Sequence, residues 1–138
     1  MIDLNRPVSL NMKLLAHHTL DGLGGMGEGV SIQCLPQGRR VLWIAHENAP
    51  KNFTPVDVTE PRAPRVLVQT ELPHASMRSN SLDVSGNLMA VAYQVSKPGL
   101  APAGFELFDI SVPEDGRREY QEANSRGGSV RPRDQQRS

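Results

Sequence analysis

The sequence predicts an all-β chain built from two four-stranded, blade-like units, and three observations carry that expectation. Apolar residues fall in short runs rich in Val, Leu, Ile and aromatics, bounded by Gly, Pro, Asn and Asp. Twelve glycines and eleven prolines punctuate 138 residues, so turns are frequent and long helices are not expected. The apolar pattern also returns on itself when the chain is displaced by 52 positions. No segment sustains a 3.6-residue period over ten residues.

Each unit reads as an outer strand followed by three more. In the first unit these are 13–20, 30–34, 41–47 and 56–59; the strand 65–72 is the counterpart of 13–20. Strands 82–85, 88–94 and 105–111 complete the second unit. At the 52-residue offset Leu14, Leu15 and Leu20 align with Val66, Leu67 and Leu72, and Val30 and Ile32 with Leu82 and Val84. Phe53, Asp57, Thr59, Pro61 and Arg65 align with Phe105, Asp109, Ser111, Pro113 and Arg117. Residues 41–45 align with 89–93 at an offset of 48, because one unit is longer before its second strand and the other longer after it. Phe105, Leu107 and Asp109 alternate with Glu106, Phe108 and Ile110, so both faces of that strand are largely apolar. That composition suits a sheet packed between neighbours.

A single four-stranded sheet cannot bury two apolar faces, whereas sheets stacked around an axis can. Four-stranded units of this length therefore predict a partial β-propeller, with units at 12–63 and 64–115, an N-terminal extension at 1–11 and a tail at 119–138. The tail holds only Tyr120, Ala123 and Val130 as apolar residues and is predicted to be disordered.

The turn after the third strand carries a family resemblance. Phe53-Thr54-Pro55-Val56-Asp57-Val58-Thr59-Glu60-Pro61-Arg62-Ala63-Pro64-Arg65 resembles the LVIVD-repeat signature of bacterial and archaeal propellers, and Phe105-Glu106-Leu107-Phe108-Asp109-Ile110-Ser111-Val112-Pro113 resembles it again. An apolar strand ends in Asp-x-Thr/Ser, whose side-chain oxygens can accept from turn amides, and proline then sets φ for the turn. The resemblance covers residues 11–118 and implies a fold without an activity. It also implies a truncated member, since propellers hold about 4–8 blades. Three features depart from the pattern: Pro55 inside a strand, which suggests a start at Val56, Val112 in place of an acid, and Gly116 in place of a turn proline.

Fifteen Lys plus Arg balance fifteen Asp plus Glu, which argues against nucleic acid or an anionic membrane as partner. No apolar stretch is long enough to span a bilayer, and residues 1–10 show no signal-peptide pattern, so a cytoplasmic location is the default expectation. A single cysteine, Cys34, excludes an internal disulfide and reads as a small core residue; Trp43 reads as packing between units. Gly22-Leu23-Gly24-Gly25-Met26-Gly27 matches a dinucleotide fingerprint, with Glu47 further on. A strand, not a helix, is predicted after it, so no cofactor is assigned. His17 and His18 are adjacent on a predicted strand and point to opposite faces, and no H-x-H or HExxH spacing occurs; no metal and no catalytic residue is assigned. Asn52-Phe53-Thr54 fits a glycosylation acceptor, which matters only on a eukaryotic secretory route.

The unit geometry selects one rim. The loops entering the inner strands, 21–29 and 73–81, lie at the same end as the second-to-third loops, 48–52 and 96–104. Glu28, His46, Glu47, Lys51, Asn52, His74, Arg78 and Asn80 are the candidate ligand or partner residues there. The expected function is a non-catalytic scaffold that binds a protein or a small polar ligand, with self-association through open blade faces. The alternative is a metal-dependent, lactonase-like propeller enzyme with a polar site at the same mouth.

Overall fold

The computed structural model describes residues 11–22, 26–48, 50–101 and 103–115. The expected tail at 119–138, most of the N-terminal extension, and Leu23, Gly24 and Gly25 of the glycine-rich motif lie outside them. Two antiparallel sheets form. The first has the order β1 (Met26–Cys34), β2 (Arg40–His46), β3 (Phe53–Asp57), β4 (Arg65–Val66); the second has β5 (Met77–Ser85), β6 (Leu88–Val95), β7 (Gly104–Asp109). The helical pieces among the described residues are three short 3-10 turns, at Leu20–Gly22, Pro36–Gly38 and Pro113–Asp115, the first two broken by left-handed Asp21 and Gln37. No described helix is long and apolar enough to cross a membrane.

Short connections follow the turn chemistry. β5 and β6 are joined through Gly86, at φ 59°, and Asn87, a two-residue hairpin that needs left-handed backbone. Asp57 Oδ1 accepts from the Thr59 amide at 3.0 Å, and Asp109 Oδ1 accepts from the Ser111 amide at 2.9 Å. Both strands thus end in the same side-chain-closed turn. The Thr59 bonds, more than Arg39, hold the Asp57 carboxyl below its usual range.

Alternation divides each sheet into two faces. In the first sheet Gln33, Val41, Trp43, Ala45 and Phe53 point toward the second sheet, and Leu82, Met89, Val91 and Tyr93 point back. The Phe53 and Phe108 rings meet across this interface, edge to face at 5.2 Å, and Trp43 meets Phe53 at 5.8 Å. Gln33 crosses it as a fully buried amide. Its Oε1 accepts from the Trp43 indole at 3.1 Å, and its Nε2 donates to Asn87 Oδ1 at 3.2 Å and Ile110 O at 3.0 Å. The far face of the first sheet buries Ile44 and Val56 beneath Leu20.

Cross-strand partners define equivalent positions. Ile32 pairs with Leu42 and Leu42 with Val56; Val84 pairs with Met89 and Met89 with Phe108. The offsets are 52 for the first and third strands and 47 for the second. The expected offset of 48 is therefore one residue too long, a slip that would turn the second strand over. With 47, the residues of the second sheet that face the first are equivalents of the first sheet's far face. The two sheets are thus stacked in the same sense, front of one on back of the next.

Several expected elements differ. Residues 13–20 form no strand; of them only Leu20 is buried. The strand expected at 65–72 is regular only over Arg65–Val66, although Leu67 N to Pro55 O, Thr70 N to Phe53 O and Leu72 N to Pro50 O keep it alongside β3. β3 begins at Phe53, with Pro55 fully buried inside it, because the Pro55 carbonyl still accepts from Leu67. Cys34 is exposed, since alternation turns Gln33 inward and Cys34 out.

Candidate functional site

β1 and β5 start, and β2 and β6 end, at one end of the two sheets, because Met26 pairs with His46 and Met77 with Val95. Strand starts reach further back than expected. Glu28 lies on β1, and Arg78 and Asn80 on β5, so these three project from strands rather than loops. Irregular register between Met26 and Val30 and between Ser79 and Ser81 marks both strand starts.

Arg78 is the centre of the exposed part of this end. Its Nε and Nη2 both donate to Gln94 Oε1, at 3.0 and 2.6 Å, and its Nη1 donates to Glu47 Oε1 at 3.2 Å. Gln94 is the cross-strand partner of Arg78 on β6, which explains the fixed fork. An open cavity of about 320 Å³ surrounds these groups, bordered also by Asn48, Ser76 and Ser96. One cation, two amides, two hydroxyls and an exposed carboxylate give it a polar lining that can hold a small ligand by hydrogen bonds.

Of the other candidates, some are exposed and some serve the interior. His46 is buried, and its ring Nε2 shares a 2.6 Å hydrogen bond with the Thr54 hydroxyl. Burial, and then the Lys51 charge, holds its imidazole below the ordinary range and keeps it neutral. Asn52 is fully buried and donates from Nδ2 to the Tyr93 hydroxyl at 3.0 Å. These two are therefore not rim residues. The Ser79 hydroxyl ties the two backbones together: it accepts from the His46 amide at 3.0 Å and has the Asn52 and His46 carbonyls as acceptors for its one proton. Lys51 is paired with Glu71 at 3.0 Å, and His74 Nε2 donates to the Ala101 carbonyl at 2.9 Å. Asn80 is half-buried at the register shift, and Glu28 is exposed. The structure thus brings Glu47 and Arg78 into one site.

Gln94 was not among the sequence candidates, and neither was Glu106. Burial pushes the Glu106 carboxyl above its ordinary range, against a bond from the Tyr93 hydroxyl. Its signal was present in the sequence: Glu106 shares its face with Phe108. Among the described residues no three His, Cys, Asp or Glu side chains are grouped to hold a metal ion. His17 and His18 do not lie on a strand, and His18 Nδ1 instead accepts from the Leu20 amide at 2.9 Å. Comparison with protein-family models, curated proteins and solved structures finds no match to the chain.

Proposed function

We propose that the chain is a pair of LVIVD-type propeller blades acting as a non-catalytic binding scaffold, with the Arg78 cavity taking a small polar ligand that carries a carboxylate. The same-sense stacking of the two sheets and the twin Asp-x-Thr/Ser turns support the blade reading. The observation that carries the binding reading is the Arg78 guanidinium. Gln94 fixes it on one side, while on the other it meets Glu47, an exposed carboxylate that a ligand carboxylate can replace.

Titration of ¹⁵N-labelled protein with acetate, succinate and citrate tests this. The expected result is saturable shifts centred on Arg78, Gln94 and Ser76 at up to about 10 mM ligand, a weak small-ligand range. Arg78→Gln should abolish them. Absence of shifts, or shifts that survive Arg78→Gln, would overturn the assignment.

A further inference from the structure

The two sheets leave exposed on one side what they bury on the other. Phe105 is 71% exposed, whereas its equivalent Phe53 is 1% exposed. Leu88 is 49% exposed and its equivalent Val41 is fully buried. On the opposite side of the molecule Val30 is 47% exposed, whereas Leu82, its equivalent, is 6% exposed. The front of the second sheet and the back of the first are thus the two halves of an interface that the chain already makes once internally.

The edge of β7 is open in the same way. Among the described residues, no strand pairs with the side of β7 away from β6. On β3 that side is taken by Arg65, Val66 and the residues after them, with Arg65 lying 3.8 Å from Asp57. Asp109 is the equivalent of Asp57. It is held ionised by the Ser111 backbone and side-chain bonds. The segment that matches Arg65-Val66-Leu67 at the 52-residue offset is Lys13-Leu14-Leu15, in which Leu14 is 67% and Leu15 46% exposed. Residues 117–124, which stand after β7 as 65–72 stand after β3, hold only Tyr120 and Ala123 as apolar side chains. The chain's own segment 13–20 is directed elsewhere. Leu20 packs on the far face of the first sheet, and its carbonyl accepts from Gln69 Nε2 at 3.4 Å.

We infer that a second copy of this chain docks head to tail: the back of its first sheet covers Leu88, Phe105 and Leu107, and its residues 13–20 extend along the free edge of β7, with Lys13 opposite Asp109. This rests on the blade reading given above. Chain order agrees with it, because within one chain the segment 65–72 likewise precedes the second sheet and completes the first. The interface is heterologous, so it closes into a ring or grows into a filament. Counting the two sheets of the described residues as two blades per copy, a closed ring of about 4–8 blades holds roughly two to four copies.

Sedimentation velocity on the full chain at about 10–100 µM should show assemblies larger than a monomer. Leu14→Asp and Phe105→Ser, both at exposed positions, should each weaken association more than about tenfold, because each places a polar or charged group in an apolar contact. Trp43 emission should stay that of a buried indole in both. In a Cys34→Ser background, a chain carrying Lys13→Cys mixed with one carrying Asp109→Cys should form the disulfide between chains. A monomer with Trp43 buried at every concentration would overturn the docking and leave the blade reading standing. A chain with Trp43 exposed to water would overturn both. Assembly insensitive to both surface variants would also overturn the docking. So would a Lys13→Cys/Asp109→Cys double variant that closes its disulfide within a single chain.

Discussion

Replacing Gly29 by alanine probes the close approach of β1 to β5. A Cβ at Gly29 would lie 2.1 Å from the Leu82 amide nitrogen and 2.8 Å from the Ser81 carbonyl carbon and Cα. All three are backbone atoms, so no rotamer change relieves the overlap. Reaching ordinary contact requires the strands to separate by roughly an ångström, which strips contacts from the Gln33 and Trp43 side of the interface. Overpacking of this kind costs about 3 kcal/mol. At about 2.1 cal/mol/K per residue over the roughly 100 described residues, that lowers the melting temperature by about 14 °C. Were the glycine in open space, alanine would instead stabilise by about 0.4–1 kcal/mol through the unfolded chain, so the two cases differ in sign. Urea unfolding followed by the fluorescence of Trp43, the only tryptophan, reads the difference directly. Gly86→Ala is the control: it has open space but φ 59°, and should lose only about 1 kcal/mol. A Gly29→Ala protein as stable as the parent, or more so, would refute the strand approach on which the stacking depends.

Three further outcomes follow from the buried polar groups. Gln33→Met keeps the volume but leaves the Trp43 indole N–H and the Ile110 carbonyl without their partner, and should cost about 2 kcal/mol in urea unfolding. An unchanged midpoint would show that this amide does not join the sheets. The His46 imidazole is depressed in the folded state, so the unfolded chain takes up its proton first. Stability from this group is complete above pH 6.5 and is lost as the pH falls through its folded value. The urea midpoint should therefore drop between pH 7.5 and 5.5, and His46→Gln should flatten that drop; an equal drop in both proteins would contradict it. Glu106 runs the other way: its raised folded value means stability is complete at low pH and is lost as the carboxyl ionises. Glu106→Gln should raise the midpoint at pH 8 and leave it nearly unchanged at pH 4, and a loss at pH 8 would sink the assignment.

Strand order and turns were legible because their signals are local. Gly86-Asn87 and the two Asp-x-Thr/Ser ends mark reversals by backbone and side-chain chemistry that needs no tertiary partner. The phase of β2 against β6 was not legible. Residues 41–45 are apolar on both faces, so a one-residue slip leaves the pattern intact, and only the cross-strand partners distinguish an offset of 47 from 48. Residues 13–20 carry the composition of a strand but form none; Leu20 packs on the far face of the first sheet instead, and composition alone does not say which edge a strand will take. The site was legible to the level of its end of the sheet. Position near a loop places His46 and Asn52 at the rim, yet their hydrogen bonds to Thr54 and Tyr93 hold them inside. Arg78 was found, but its partner Gln94 was not, because that pairing depends on the register of β5 on β6 across the shift at Ser79/Ser81.

The second sheet presents its back to the front of the first. Selective labelling of the three phenylalanines and Trp43 tests it most directly, through the nuclear Overhauser contacts between their rings. Strong contacts are expected from Phe53 to Phe108, whose rings lie 5.2 Å apart, and from Phe53 to Trp43 at 5.8 Å, with none from Phe105 to either Phe53 or Trp43. A Phe53–Phe105 contact without a Phe53–Phe108 contact would turn the second sheet over and contradict the same-sense stacking.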